Sequence, residues 1–388
     1  IRDKLVTGVQ TCALPIWLQI GSFFATMGIA SLFMPAVMGI IADRWIPAQR
    51  LLGLCHLFAA GFITLAATRT DYNSLYTLVL LSVMFYMPTI ALSNSVAYNA
   101  LEKAGLDTVT HFPPIRVWGT VGFICAMWVV DLGKMGLSAT QLYFSATLGL
   151  ILGLYSFTLP NCPINRSGGG KSIVDLLGLR AFALFKQRKM AIFFIFSMLL
   201  GMSLQITNAF ADGYIKSFGD TGIHGAKYLG TFGVEHSTIL ISLSQISETL
   251  CILLIPFFLK RFGIKRVMLI AMFAWVLRFA LLGAGNPGPG VWMFILSMIV
   301  YGVAFDFFNI SGSLFVEKET SAAIRSSAQG VFMIMTNGLG ALIGSYLAGW
   351  VVNHYGWPLS WYLFAGFSLV VAIVFAVIFK YKHDPNRI

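Results

Sequence analysis

Long apolar runs separated by short polar segments dominate this sequence. Each run holds about 20 residues, enough for a helix to cross a hydrocarbon core of about 30 Å. The runs lack the alternation of polar and apolar residues that a transmembrane barrel strand requires. The pattern therefore predicts an all-α polytopic membrane protein. The predicted spans cover residues 18–41, 51–68, 74–97, 114–131, 140–160, 190–214, 236–259, 267–285, 291–313, 327–352 and 359–380.

Composition supports the bilayer as the solvent. The 388 residues are 57% hydrophobic and 11% charged, with a mean hydropathy of +0.80. Soluble domains carry about 25% charged residues. A water-soluble core could not bury this much apolar surface.

The net charge of +11 orients the chain and does not indicate a nucleic-acid partner. Eighteen Lys and Arg residues fall in alternate loops and the C-terminal tail, whereas the opposite loops hold only Arg69, Lys134, Lys216 and Lys227. Cytoplasmic loops of membrane proteins carry such an excess of Lys and Arg. The bias predicts a cytoplasmic C-terminus.

The chain is expected to divide into two helical halves. Residues 1–16 are set aside, because "VTGVQTCALPI" resembles the reading of a sequencing-library adapter. Residues 17–160 are expected to form an N-terminal bundle that lacks its first helix, and 190–388 a six-helix bundle with a short tail. Between them, 161–189 is predicted to be a cytoplasmic linker with an amphipathic helix. Twelve helices are expected, eleven of them visible, in the major facilitator arrangement.

The loop "GIIADRWIPAQR" after the first visible span resembles the loop signature of that superfamily. Asp43 and Arg44 are predicted to act as a conformational latch between helices. The alternative is a solvated loop pair, since exposed ion pairs contribute little.

The sequence holds no pattern of an enzyme or a cofactor site. "GGGKS" lacks the earlier glycine of a phosphate-binding loop, which is Asn165 here. The five cysteines have no paired spacing, and the histidines form no nucleophile–base pair or metal cluster. We therefore expect no metal, no cofactor and no catalytic residue.

Four ionisable residues lie inside predicted spans: Arg116, Glu248, Arg278 and Asp306. Each would cost about 2.5–3.5 kcal/mol at the centre of a lipid-facing helix. They are therefore expected to face a protein interior or an aqueous cavity, and to pair with one another.

Amides and aromatic rings accompany these charges at helical spacing. The groups are Arg116, Thr120 and Phe123; Gln205 and Asn208; Gln245 and Glu248; and Tyr301, Phe305, Asp306 and Asn309. Amides bind hydrogen-bonding edges, rings stack on planar groups, and carboxylates accept from hydroxyls. This set suits a polar molecule with one flat and one hydroxylated part. Ordinary packing of the aromatics and interhelical bonding by the amides remain alternatives. Arg278 as a structural counter-ion and Arg116 as an interfacial side chain also remain open.

Several strings resemble the bacterial nucleoside:proton symporter family. They are "FPPIRVWGTVGF", "IFFIFSMLLGMSLQITN", "SQISETL", "YGVAFDFFNISGS" and "FVEKETSAAIRSSAQGVF", and the resemblance runs from about Gly21 to Lys382. It implies uptake of purine and pyrimidine nucleosides across the bacterial inner membrane, by a multi-pass monomer that uses the proton gradient and no cofactor.

The resemblance also implies the binding residues. They are Arg116, Thr120, Phe123, Gln205, Asn208, Gln245, Glu248, Tyr301, Phe305 and Asp306. Glu248 and Asp306 are the candidates for proton coupling. A proton-coupled sugar or oligosaccharide symporter is the alternative, since an Arg and a Glu at such positions also occur in lactose-permease-like carriers.

Overall fold

The computed structural model describes residues 16–136, 138–162, 179–221, 226–321 and 324–381, and the regular structure within these ranges is helical. The first half holds α1 (Ile16–Arg44), α2 (Ala48–Ala67), α3 (Tyr72–Lys103), α4 (Thr108–Leu132) and α5 (Thr140–Ser156). The second half holds α6 (Arg188–Ser217), α7 (Phe232–Glu235), α8 (Ser237–Ala284), α9 (Val291–Glu319), α10 (Arg325–Met333), α11 (Ala341–Tyr355) and α12 (Leu359–Ile378). A 3₁₀ helix covers Leu179–Lys186, and a π-helical segment covers Ile334–Gly340.

Each of the eleven predicted spans falls on a helix, which confirms the all-α polytopic fold. Within the described ranges, nine helices are long and apolar enough to cross a membrane. One of these, α8, has 48 residues and holds two predicted spans, which are interrupted at Gly263 (φ 76°, ψ 165°). Another continuous stretch, Ser327–Tyr355, runs through α10, the π-helical segment and α11. The predicted span 140–160 corresponds to α5, which has 17 residues.

A capping residue fixes the start of α3. The Asp71 carboxylate accepts a hydrogen bond from the backbone N–H of Ser74 at 2.8 Å and caps the helix. This bonding holds the pKa of Asp71 below its usual range.

Aromatic side chains fill the core of the second half. Phe193 on α6 packs against Phe315 on α9 and Phe332 on α10, with ring centroids 4.7 and 5.4 Å apart. The first half has a smaller core, centred on Leu52, Cys55 and neighbouring side chains of α1 and α3. The domain boundaries stay a prediction.

The two halves pack through α1 and the stretch that ends in α11. A Cβ added at Gly21 would lie 2.5 Å from the Ser345 carbonyl oxygen, and one at Gly28 would lie 2.7 Å from that of Gly338. Only glycine permits this approach of the two backbones. We call this contact the glycine seam.

Further contacts between the halves gather at the end where α1 begins and α4 ends, which we call the closed end. Asp131 Oδ2 lies 2.6 Å from His236 Nδ1, and Trp128 Nε1 donates to Ser242 Oγ at 2.9 Å. Trp17 packs edge-on against Trp357, with centroids 5.5 Å apart. Towards the other end α4 is uncovered, and Trp118 is 73% exposed.

Some predictions fall beyond the described residues. Residues 1–15, the linker residues 163–178 and the side chain of Asp43 are not described, so the adapter and the latch with Arg44 remain untested. The described part of the amphipathic stretch is the 3₁₀ helix. Its Leu184 is buried and its Phe185 packs on Phe194 of α6, so the helix bundle covers part of its apolar face.

The packing of α8 on α9 gives a stability prediction. In Gly302→Ala, the new Cβ would lie 2.6 Å from the Ser247 carbonyl oxygen. We expect a loss of about 1–3 kcal/mol, as in overpacked cores. Thermal unfolding in detergent measures it, with Gly366→Ala as the control, because a Cβ there meets nothing within 4 Å. Equal melting temperatures for the two variants would contradict the prediction.

Candidate functional site

Tyr301 lies at the centre of the polar and aromatic residues in the second half. Its ring is buried on α9 and stacks on Phe305, one turn along, with centroids 5.9 Å apart and planes at 20°. Trp275 of α8 meets the ring edge-on at 6.1 Å. The predicted shared face of Tyr301 and Phe305 is therefore confirmed.

Three helices converge on this tyrosine. Asn208 of α6 makes a side-chain hydrogen bond with Tyr301, and both Glu248 of α8 and Asp306 of α9 lie within electrostatic range of it. Asp306 and Glu248 also act on each other. The structure thus brings Asn208, Glu248, Tyr301 and Asp306 together.

Arg278 supplies a cation behind the tyrosine. Its guanidinium is fully buried and lies over the Tyr301 ring, 4.7 Å from the centroid. Nη1 donates to the Ser297 carbonyl at 2.5 Å and contacts the Met298 sulfur at 3.7 Å.

This arrangement corrects the expectation that the four in-span charges pair directly. In the described part of the chain no ion pair joins any two of these four residues, whereas Lys189–Glu319, Lys216–Asp212 and His236–Asp131 do form ion pairs. The Arg278 guanidinium instead contacts a carbonyl, a thioether and a ring, and its Nε has no hydrogen-bond partner in the described structure. Arg116 influences Glu248 electrostatically and does not form a contact pair with it.

Among the buried polar atoms that have no hydrogen-bond partner in the described structure, two belong to predicted binding residues. They are Oδ2 of Asp306, whose residue is 3% exposed, and Nε2 of Gln205 on α6. A buried polar group without a partner costs about 1–3 kcal/mol, and more when it is charged. Such atoms need an explanation, and a ligand that supplies the missing partner is one.

The α4 residues line an open face. Arg116 is exposed, Thr120 is half-buried and Phe123 is 54% exposed. On α8, Gln245 is half-buried like Glu248, one turn away. The structure therefore does not enclose the α4 group together with the Tyr301 group.

An open cavity lies beside Tyr301 in the second half. It runs between α6, α9 and the π-helical segment and reaches Trp275 of α8. Phe305, one of the predicted binding residues, is part of its wall. Its wall is largely apolar with a few polar groups, which is the usual lining of a small-molecule site.

The sequence did not indicate the polar contacts at the closed end. Asp131 and His236 lie at the ends of helices far apart in the chain, and Asp212 accepts from Ser237 Oγ at 2.6 Å. Each residue alone resembles an ordinary helix end. Only the tertiary packing of α4 and α6 against α8 makes them partners.

Two helical halves, a seam between them and buried charges at mid-span define a secondary transporter of the major facilitator fold. The chain matches the nucleoside H+ symporter family over residues 12–384, and it belongs to that family. It is a transporter and not an enzyme.

Similar proteins agree with this assignment. Nucleoside permease NupG of Escherichia coli (strain K12) is 51% identical, with 99% of this chain and 96% of the relative covered. Xanthosine permease of the same organism is 50% identical, over 95% and 89% of the two chains. A crystal structure of nucleoside transporter NupG superposes with a TM-score of 0.86 at 50% identity, covering 94% of this chain and 91% of that one. A peptide transporter structure at 15% identity and a TM-score of 0.72 shares the fold alone.

Arg278 gives a prediction for stability. Arg278→Ala should lower the free energy of unfolding by about 2 kcal/mol or more, because a desolvated cation–π contact and a buried hydrogen bond are lost. Lys227→Ala is the control, since Lys227 lies 5.1 Å from the Tyr228 ring centroid but is exposed, where such a contact contributes about 0.5–1 kcal/mol. Chemical denaturation followed by fluorescence makes the comparison, and equal losses would contradict the prediction.

Proposed function

We propose that this protein takes nucleosides into a bacterium across the cytoplasmic membrane, coupled to proton entry, by alternating access. The observation that carries the proposal is Asp306: a carboxylate at mid-span, almost fully buried, with one oxygen unpartnered. Membership of the nucleoside H+ symporter family and the names of the two relatives at 50–51% identity support the substrate class.

The proposed orientation follows the charge bias of the loops. An excess of Lys and Arg in alternate loops favours a cytoplasmic C-terminus. The closed end, at Asp131 and His236, then faces the outside, and the uncovered part of α4 faces the cytoplasm. The protein is therefore in an inward-facing state under this proposal.

The proposed binding residues divide by chemistry. Aromatic rings on α9 and α4, Tyr301, Phe305 and Phe123, present flat faces to a nucleobase. Carboxylates and hydroxyls suit the ribose hydroxyls, and the amides and Arg116 provide directed hydrogen bonds. The complete proposed set is Arg116, Thr120, Phe123, Gln205, Asn208, Gln245, Glu248, Tyr301, Phe305 and Asp306.

Proton coupling is assigned to Glu248 and Asp306. A buried carboxylate favours its neutral form, whereas a nearby cation favours the charged form, so these groups can gain and lose a proton during the cycle. The membrane potential contributes about 2.3 kcal/mol per 100 mV for each proton that enters. The proposal includes a monomer with no cofactor, and Asp43 with Arg44 as a latch.

The substrate class is tested by competition against labelled uridine, with the protein in proteoliposomes. We expect adenosine, cytidine and inosine to compete, because they share the ribose and a planar base, and we expect lactose and maltose not to compete. Free ribose serves as the control for the sugar portion alone. Accumulation of a disaccharide with no response to any nucleoside would show a sugar carrier instead.

The proton coupling gives a separate prediction. Asp306→Asn and Glu248→Gln keep shape but cannot exchange a proton, so at least one should lose uridine accumulation driven by a pH gradient while keeping downhill exchange. The measurement is proton influx upon uridine addition, with a pH-sensitive dye inside the vesicles. Glu235→Gln, at an exposed carboxylate on α7, is the control. Normal influx in both site variants would place the coupling elsewhere.

A further inference from the structure

Two asparagines line the cavity beside Tyr301 and lie outside the ten proposed binding residues. Asn309 is on α9, one turn beyond Phe305, and Asn337 is in the π-helical segment. The remaining wall is largely apolar and includes Leu204, Phe305 and Phe308. Apolar walls with a few directed polar groups are typical of a small-molecule site, and the aromatic side chains suit a planar heterocycle.

The amide of Asn337 is available to a ligand. Its side chain is half-buried, and Nδ2 contacts only a poor acceptor, the Met333 sulfur, at 3.7 Å. The neighbouring Thr336 hydroxyl, in contrast, donates to the Phe332 carbonyl at 2.9 Å. The polar groups open to the cavity are therefore amides, which offer both a donor and an acceptor.

The backbone around Asn337 is held firmly. Gly201 of α6 lies directly against the backbone of Thr336, and a Cβ at Gly340 would lie 2.7 Å from the Met198 carbonyl oxygen. On the other side, a Cβ at Gly338 would lie 2.7 Å from Leu32 of α1. A π-helical turn is rare and often occurs at functional sites. Here the π-helical segment that carries Asn337 packs closely against α6 on one side and α1 on the other.

We propose that Asn309 and Asn337 bind the hydrogen-bonding edge of the nucleobase and set which bases the protein prefers. This inference rests on the proposed nucleoside transport. Asparagine amides bind base edges elsewhere in biology because the donor and acceptor of the amide match those of the base. Since the two asparagines come from different helices, they can contact the base edge at two points.

Under this assignment the nucleobase and the ribose each have suitable binding residues. The base lies among Phe305, Phe308 and the two asparagines, while the ribose lies towards Glu248 and Asp306, whose carboxylates accept from hydroxyls. Phe305 borders both groups, so one ligand can contact them together.

The experiment combines protein variants that lack one asparagine amide with a ligand that lacks one hydrogen-bonding group of the base. The variants are Asn309→Leu and Asn337→Leu, similar in size to the amide but unable to form hydrogen bonds. The ligands are adenosine, inosine and purine riboside, which lacks the exocyclic group at C6. Each competes with labelled uridine for the purified full chain in detergent, and the readout is the affinity ratio of adenosine or inosine to purine riboside.

The wild type should favour at least one of the substituted purines by about tenfold, because a site built to hydrogen-bond a group rejects the analogue that lacks it. In at least one variant this ratio should fall to about one. Asn353→Leu, the same change on an exposed part of α11, should keep the wild-type ratio. Asn309→Ser and Asn337→Ser repeat the measurement with smaller polar side chains, so a ratio is obtained if a Leu variant does not fold.

Two results would overturn the inference while leaving nucleoside transport intact. One is a wild-type ratio that persists in every variant, and the other is an equal loss of affinity for all three purines, as a structural role would give. A wild type that binds no nucleoside at all would instead overturn the proposed function, and this inference with it.

Discussion

The absence of water inside a bilayer governs this structure, because every polar group placed there must find a partner within the protein. Helices satisfy the backbone on their own, and this explains why the described structure is helical throughout its spans. Charged side chains have no such local solution. Arg278 is therefore held by the Ser297 carbonyl, the Met298 sulfur and the Tyr301 ring. Tyr301 in turn connects this cation to Asn208 and to the two carboxylates.

Close backbone contacts organise the two halves around that centre. At the glycine seam, Gly21 and Gly28 allow α1 to approach the stretch that ends in α11. Polar pairs such as Asp131 with His236 then fasten one end. Small residues let helices pack in a membrane where the hydrophobic effect does not drive them together. The seam and the closed end thus hold the halves while leaving much of α4 uncovered.

The sequence predicted the helices well because a helix that crosses lipid needs a long apolar run. It predicted their ends less well, since hydropathy reports where a helix lies in lipid and not where it stops. The polar residues Glu317 and Glu319 extend α9 beyond the predicted limit of 313, whereas α5 ends at Ser156, short of 160. The break at Gly263 coincides with a predicted loop.

Helical spacing also predicted which site residues share a face, as with Tyr301 and Phe305. Helical spacing could not predict contacts between residues on different helices. The bond between Asn208 and Tyr301, the position of Arg278 over the ring and the pair of Asp131 with His236 all depend on tertiary packing. The expectation of direct ion pairs failed for the same reason, because Arg278 found its partners among uncharged groups.

The buried Arg278 has a consequence for the electrical behaviour of a carrier. Together with Arg116 on the open face of α4, it balances the formal charges of Glu248 and Asp306. The formal charges of these four residues therefore sum to zero when both carboxylates are ionised and to one positive charge when either is protonated. Under proton coupling, the loaded protein moves a charge through the membrane field, and the empty protein returns without one. A membrane potential that is negative inside then accelerates the inward movement of the loaded protein. It does not change the rate at which the empty, neutral protein returns. The fixed guanidinium thereby decides which half of the cycle the membrane potential drives.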